Sequence, residues 1–402
     1  MHKFAVVGLC LFTVTPALAD EVKIKPIVDA RLRFEGVDQT GIAREASATT
    51  LRVRSGFEAT KGVFAFLAES EATLAISEKH NSGVNGNTRF PVVADPENIE
   101  LNRVQLQYKG IAKTIVTAGR QRINLDDQRF VGSVGWRQNE QTFDAVRFEW
   151  SGIKDVKADL TYSWSNRTIW GVDGFGTRQQ AISGDNVFAN LSYKKKFGTL
   201  TGFAYLVDQD EAAVLGFRLS SKTIGARFAG STPLSKVAKL TYAASYASQS
   251  DYHNNPNNYS ADYYLGELGV EGKGFKLLGG YEVLGAARGV ALTSFQTPLA
   301  TLHKFNGWAD KFLTTPANGL RDAYATIGYS KPKWGKLSAV TIQATYHGFR
   351  SDRLGLNYGN EVNLLLSAKL KKYGFTLKYA DYNARTFTTD TKKFWASVDW
   401  AF

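Results

Sequence analysis

Arginine is the residue type in this sequence whose number and spacing could do chemistry. Arginines separated by one residue recur in the stretches RLR, RVR and RQR. A guanidinium group stays charged and offers a planar fork of N–H donors that matches a carboxylate. The polar positions of alternating segments hold Arg31, Arg33, Arg52, Arg54, Arg103, Arg120, Arg122, Arg147 and Arg227. Two uses are open: binding an anionic solute, or stiffening a wall by pairing with Asp29, Glu58, Glu69, Glu71 and Glu149.

The segments that carry these arginines have a hydrophobic period of two residues. Apolar side chains alternate with polar or charged ones through residues 22–34, 51–58, 103–108 and 361–370. A period of two sends the two sets to opposite faces of a β-strand. The charged face would look outward in a soluble sandwich, whereas it lines a water-filled lumen in a membrane barrel.

The connections between the segments separate these two folds. Short turns are predicted near residues 61–62, 109–110, 151–152, 196–198, 233, 272–274, 332–335 and 372–374. Longer polar loops are predicted around residues 36–47, 78–97, 124–139, 167–184, 209–216, 250–259, 286–319, 350–357 and 384–390. This strict alternation predicts an all-β, transmembrane, antiparallel up-and-down β-barrel of about eighteen strands. Sixteen or about twenty strands are the alternatives, because residues 209–222 could hide a strand pair.

Both ends of the chain agree with export to the outer membrane of a Gram-negative bacterium. Residues 1–19 combine Lys3, a short apolar run and an Ala-Leu-Ala cleavage site, which predicts a signal peptide before a single barrel domain over residues 20–402. Residues 394–402 alternate and end on Phe402, which resembles the closing strand recognised by the barrel-assembly machinery. Cys10 lies in the signal peptide, so no disulfide is expected in the mature chain.

Composition limits the partners and argues against catalysis. The formal net charge is +12, and a basic balance favours nucleic acid, an anionic surface or an anionic solute. Export excludes nucleic acid, which leaves an anionic carbohydrate or small acidic solute, together with outer-membrane lipid. The mature chain has no metal-ligand spacing and no serine placed beside a histidine, so no enzyme activity, metal or cofactor is predicted. The alternatives are an outer-membrane hydrolase and a structural or adhesive barrel whose lumen is closed by its own ion pairs.

Two of the long connections have an unusual composition. Residues 124–139 and 286–319 mix aromatic and charged side chains, which a purely solvated loop does not need. We expect both segments to fold inward and narrow the lumen. The alternative is that they remain solvated external loops.

Six longer stretches of the sequence are distinctive beyond their alternation. They read DARLRFEG, TLRVRSGFEA, LNRVQLQYKG, GRQRINLDDQRFVGSVGWRQNEQTFDAVR, SDYHNNPNNYSADYYLGELG and TPLATLHKFNGWADKFLTTPANGLRDAY. Together they resemble the alginate-export family of outer-membrane porins. The resemblance implies a barrel whose basic, constricted lumen passes an anionic uronate polymer. It implies a basic lining formed by Arg52, Arg54, Arg103, Arg120, Arg122, Arg129, Arg137, Lys304 and Arg321. The function expected is passive, anion-selective conduction of sugar-acid-like solutes.

Overall fold

The structure is a computed structural model that describes residues 21–211 and 216–401. The signal peptide expected at residues 1–19 lies outside the described residues. One antiparallel sheet of eighteen β-strands closes on itself, because the first strand pairs with both the second and the last. In chain order the strands are β1 (Lys23–Gln39), β2 (Ala46–Lys61), β3 (Phe64–Lys79), β4 (Asn98–Tyr108), β5 (Thr114–Gln121), β6 (Thr142–Trp150), β7 (Val156–Arg167), β8 (Ala181–Lys195), β9 (Gly198–Val207), β10 (Ser221–Pro233), β11 (Ala238–Asp251), β12 (Ser260–Gly272), β13 (Phe275–Leu284), β14 (Leu320–Trp334), β15 (Leu337–Arg350), β16 (Asn357–Leu370), β17 (Tyr373–Ala384) and β18 (Thr391–Ala401). Two short 3₁₀ helices, Gly216–Leu219 and Leu302–Lys304, lie in the long connections.

Short and long connections alternate around this barrel, as the sequence predicts. The eight connections at one end have two to five residues, and the nine at the other end have six to thirty-five. The prediction of eighteen strands is therefore confirmed, and the described residues between β9 and β10 contain a 3₁₀ helix, Gly216–Leu219, and no further strand pair. In outer-membrane barrels the short turns face the periplasm and the long connections face outward. No helix in the described ranges is long and apolar enough to cross a membrane.

The two faces of each strand differ as a period of two requires. In β2, Thr50, Arg52 and Arg54 are buried, while Leu51 and Val53 on the other face are more exposed. Exposed apolar side chains cover the outer surface, which in a membrane barrel contacts lipid. Aromatic side chains add to this surface as the girdles of such barrels do, among them Tyr108, Tyr162, Trp164, Tyr193 and Tyr246.

Apolar side chains of the inner face pack with the two longest connections, residues 122–141 and 285–319. The ring of Phe130, in the first connection, lies 5.1 Å from Phe203 of β9 and 5.3 Å from Tyr263 of β12. It also lies 5.9 Å from Phe295 of the second connection. All four belong to, or pack on, one buried apolar cluster. This cluster holds both connections against the strand faces that also carry the charged side chains.

Candidate functional site

The arginines predicted on the polar face of β1 to β6 divide into two groups by burial. The side chains of Arg33, Arg52 and Arg54 are 4–6% exposed. Arg120, predicted on the polar face, lies instead on the outer face of β5, which it shares with the exposed Ala118, and its register partners there are Val104 and Asp144. The second group is 15–28% exposed, and we call its members the wall arginines: Arg31, Arg103, Arg122 and Arg147. Arg31 lies on β1, Arg103 on β4, Arg122 directly after β5 and Arg147 on β6, so they lie on one side of the barrel interior. Among the arginines of β1 to β6, only the wall arginines are partly exposed to solvent in the barrel interior.

Buried carboxylates link several of these arginines into a continuous chain of ion pairs. In order, the chain runs through Arg103, Glu69, Arg122, Glu140, Arg54 and Glu71. Glu69 lies 2.6 Å from Arg103 and 3.3 Å from Arg122, and Glu140 contacts Arg122 directly. The three glutamates are at most 2% exposed. Buried carboxylates need such partners, so part of the basic wall is structural.

Most of the remaining pairs join adjacent strands, and Arg147 also pairs with Glu149 within β6. Asp29 lies 2.5 Å from Arg52 and Glu149 lies 3.4 Å from Arg147, as the pairing alternative requires, whereas Glu58 pairs with no cation in the described part of the chain. Three partners were not identified from the sequence, namely Asp399 for Arg31, Asp144 for Arg120 and Asp159 for Arg147, at 2.6, 2.7 and 2.5 Å. These pairs depend on which strands are neighbours and on the register between them. The hydrophobic period of a sequence gives neither the neighbours nor the register.

The 122–141 and 285–319 connections contact each other, and we call their mutual contacts the loop joint. The Gly132 N–H donates to the Leu299 carbonyl at 2.9 Å. The indole of Trp136 stacks on the imidazole of His303, with centroids 3.4 Å apart and planes 12° apart. These backbone and ring contacts join two segments that are more than 150 residues apart in sequence. The joint therefore depends on both connections folding against the same inner surface.

Asp310 is the charged centre of the loop joint. It contacts His303 at 2.8 Å, Arg137 at 3.2 Å and Lys393 of β18 at 3.0 Å. Burial favours the neutral carboxyl, but the nearby cations and His303 lower the pKa of Asp310 well below its usual value. Burial, together with the charge of Lys378, lowers the pKa of His303 to about 3. The joint thus contains a neutral imidazole and an ionised carboxylate.

Lys378 of β17 lies in an aromatic enclosure beside the joint. Its Nζ is 3.8 Å from the ring centroid of Trp308, 5.2 Å from Trp395 and 5.3 Å from Trp136. Cation–π contacts of this kind stabilise an ammonium group where no carboxylate is within reach. Lys378 and Lys393 were not identified from the sequence, because only arginines were considered on the polar positions of the alternating segments. Both lie on polar-face positions, so including lysine in the same alternation would have found them.

Arg129 connects the loop joint to β13, on the side of the barrel opposite the wall arginines. It donates to Glu282 of β13 at 2.7 Å, to Asn306 at 3.0 Å and to Thr297 at 3.2 Å. Glu282 also accepts from the Tyr263 hydroxyl at 2.7 Å. The side chains of Arg129 and Glu282 are only 3% and 4% exposed. Arg129 is therefore a structural contact between strand and loops.

A cavity of about 570 Å³ lies on the long-connection side of the joint. Trp136, Arg137, Lys311 and Lys393 line it, among a larger number of apolar side chains. Lys311 pairs with no carboxylate in the described ranges, and burial together with Lys393 lowers its pKa to about 8. It is thus a partly buried cation with no direct ion-pair partner among the described residues.

A second cavity, of about 390 Å³, lies between the 285–319 connection and β10 to β16. Arg227 and Lys304 line it, and both contact Asp127: Arg227 pairs with its carboxylate at 3.2 Å and Lys304 donates to its carbonyl at 2.7 Å. Glu267 and Glu282 line the same cavity. This side of the interior is therefore mixed in charge, as is the side on which the wall arginines pair with carboxylates.

Arg321 lies apart from the other predicted residues. It is on the outer face of β14, 44% exposed, and pairs with Asp352 at 2.9 Å. Its neighbour Asp322 is buried on the inner face and contacts His347 at 3.0 Å. Adjacent residues of a strand point to opposite faces, so the resemblance in sequence at this position does not bring Arg321 to the interior.

A closed antiparallel barrel that is apolar outside and charged inside, with short turns at one end and long connections at the other, is an outer-membrane β-barrel. Residues 28–251, more than half of the chain, match the alginate export family, and the chain belongs to that family. No curated protein matches it in sequence.

Solved structures share the fold at low sequence identity. OpdQ of Pseudomonas aeruginosa superposes with a TM-score of 0.70 at 14% identity, over 94% of this chain and 97% of that one. OccAB4 of Acinetobacter baumannii gives a TM-score of 0.71 at 12% identity, over 94% and 98%. The outer membrane protein OpdK of Pseudomonas aeruginosa gives 0.68 at 11% identity, over 94% and 98%. At these identities the similarity establishes the architecture alone.

Proposed function

We propose that this protein is a passive outer-membrane channel for anionic solutes of the uronate or sugar-acid type, and not an enzyme. The observation that carries the proposal is the group of part-exposed wall arginines on one side of the barrel interior. Fixed positive charges in a narrow lumen raise the local concentration of anions and repel cations. Membership of the alginate export family supports a carboxylate-bearing carbohydrate as the solute.

Two wall arginines, Arg103 and Arg122, have unused N–H donors that are not buried, whereas the unused donors of Arg33, Arg52 and Arg54 are buried. Arg103 uses Nε and Nη2 for Glu69, and Arg122 uses Nε and Nη2 for Glu140 and Glu69. In the described chain, Nη1 of both arginines donates to no protein group. A guanidinium has donors on all three nitrogens. Each arginine can therefore bind a solute carboxylate while it keeps its structural partner.

The direct test is ion selectivity in a planar bilayer. With a salt gradient across the membrane, the reversal potential of the wild type should indicate a preference for anions. The double variant R103Q/R122Q should lose much of this preference, while R321Q removes an outer-face charge and should keep it. The preference should weaken as the screening length falls from about 10 Å at 0.1 M salt to about 3 Å at 1 M. Unchanged selectivity in folded R103Q/R122Q would contradict the proposal.

The loop joint favours one other function, a structural barrel with a closed lumen. The stacked Trp136 and His303 and the Asp310 ion pairs join the two connections across the interior. A bilayer recording separates the two functions, because only the channel requires current. A hydrolase has less support: His347 is buried between Asp322 and Phe349, and it bonds to no serine in the described part of the chain.

A further inference from the structure

The two ends of the barrel differ sharply in charge. The eight short turns contain nine lysines, no arginine and one acidic residue, Asp155. The nine long connections contain twelve Lys and Arg residues and thirteen Asp and Glu residues, so they are almost neutral. The two terminal residues of each strand at the short-turn end of the barrel add nine lysines: Lys23, Lys61, Lys157, Lys194, Lys195, Lys239, Lys276, Lys333 and Lys369.

We call these eighteen residues the lysine collar. The same positions hold three acids, Glu149, Asp155 and Glu271, so the net charge of this end is +15, more than the +12 of the whole chain. Three collar lysines form ion pairs, Lys157, Lys195 and Lys239, and the other fifteen pair with no carboxylate in the described ranges. All except Lys276 are exposed. The collar therefore presents a largely uncompensated positive charge.

Contacts with outer-face aromatic rings fix the depth of part of the collar. The Nζ of Lys195 lies 4.6 Å from the ring of Tyr193. The Nζ of Lys372 lies 4.9 Å from Trp400 and 6.0 Å from Tyr373. Tyrosine and tryptophan on the lipid-facing side of a barrel lie at the level of the lipid headgroups. These two ammonium groups are therefore at headgroup depth on the outside of the barrel.

We propose that the lysine collar binds the anionic headgroups of phospholipids in the periplasmic leaflet. Lysine can extend its charged end from an apolar surface into the headgroup layer, and each lysine near an anionic leaflet contributes about a fivefold preference for it. Lysines lie in or directly beside all eight short turns, so the collar surrounds the barrel as a leaflet does. A protein docked on one side would need no such ring. The proposal does not depend on which solute passes through the lumen.

Two variants that lose lysines from opposite faces of the barrel wall provide a control for the change in total charge. The outer variant is K61Q/K195Q/K372Q: Lys61 lies on the lipid-facing side with Phe57, and Lys195 and Lys372 contact outer aromatic rings. The inner variant is K23Q/K194Q/K369Q, whose lysines share the lumen-facing positions of their strands with Asp29, Asn190 and Asn363. Each variant removes three positive charges. They differ only in the side of the wall that loses them.

The experiment compares the folded barrel in vesicles of phosphatidylcholine with and without phosphatidylglycerol. Thermal unfolding is followed by gel mobility, and lipid retained on the released protein is measured by native mass spectrometry. The wild type and the inner variant should unfold at a higher temperature with phosphatidylglycerol and retain it. The outer variant should lose the shift and retain about a hundredfold less.

Three outcomes would overturn the proposal. An equal loss in both variants would show that only total charge matters. A loss in the inner variant alone would assign the lysines to the lumen and its solute. No phosphatidylglycerol preference in the wild type would exclude a lipid site altogether.

Discussion

The wall arginines and the loop joint contain the same kind of ion pair, arginine with carboxylate, but the arginines of the joint are more deeply buried. The wall arginines are 15–28% exposed, whereas Arg129 and Arg137 of the joint are 3% and 6% exposed. Breaking a buried pair leaves an uncompensated charge and costs about 3–5 kcal/mol, while an exposed pair is worth up to about 1 kcal/mol. The free donors of Arg103 and Arg122 can therefore bind a solute while their structural ion pairs stay intact, and the more deeply buried pairs of the joint are suited to hold two connections in place.

Arg137 of the joint and Arg31 of the wall differ in the number and the burial of their carboxylate partners. Arg137 lies 3.1 Å from Glu35, 3.2 Å from Asp310 and 3.9 Å from Asp95, all of them buried. Arg31 has one such partner, Asp399, which is itself 37% exposed. An arginine that faces the interior is thus not by itself a solute ligand. Its role depends on how many acids surround it and on whether water reaches it.

Removing the joint should have the largest effect. Deletion of Leu299 to Thr314 eliminates His303, Trp308 and Asp310 and should raise single-channel conductance severalfold, because the cross-lumen contacts are lost. Conductance is read in planar bilayers, with heat-modifiable gel mobility as the check that the barrel still assembles. Unchanged conductance from an assembled deletion variant would place the connection outside the conducting path.

Breaking the Arg129–Glu282 pair should loosen the joint without removing it. R129Q leaves a buried carboxylate without its cation, at a cost of about 3–5 kcal/mol, and R129Q/E282Q should recover most of this. Backbone hydrogen exchange over residues 122–141 and 285–319 measures the opening. The exposed pair Arg321–Asp352 serves as the control, since R321Q should change exchange there little. Equal exchange in R129Q and R321Q would show that burial does not separate the two regions.

Most of the fold could be predicted from the sequence because its determinants are local. Alternation in residues 51–58 identifies β2 and its inner face, and the lengths of the connections give eighteen strands. Boundaries were less accurate: the first long connection spans residues 40–45, shorter than the predicted 36–47, because β1 and β2 continue beyond the alternating part.

The site was predicted only in part, because pairing depends on register and long-range contacts. Alternation places Arg52 and Arg122 on the same kind of face, yet Arg52 is 5% exposed and Arg122 is 28% exposed. That difference comes from Gln138 and other residues of the 122–141 connection that pack on β2, as the Gln138 bond to the Thr50 carbonyl at 3.1 Å shows. No local pattern encodes such a contact.

Lys311 offers a smaller effect that depends on pH. Burial lowers the pKa of Lys311 to about 8, so its ammonium is charged below that pH and neutral above it. Anion preference should therefore decline as the pH rises from about 7 to about 9. K311Q should show a lower preference at the lower pH and little further decline. A wild-type slope that persists in K311Q would assign the titration to another group.

The smallest effect should come from changing the geometry of the wall while its charge is kept. R103K/R122K retains two cations, so selectivity among small ions should survive. A lysine lacks the planar fork and cannot bind Glu69 and a solute carboxylate through separate edges, as Arg103 can with its unused Nη1. Losing one charge-assisted hydrogen bond should weaken block of the chloride current by a uronate oligomer about tenfold. R321K, on the outer face, should leave the block unchanged. If R103K/R122K and R321K are blocked equally well, the wall attracts anions by charge alone, and the distinction between wall and joint then concerns exposure and not hydrogen-bond geometry.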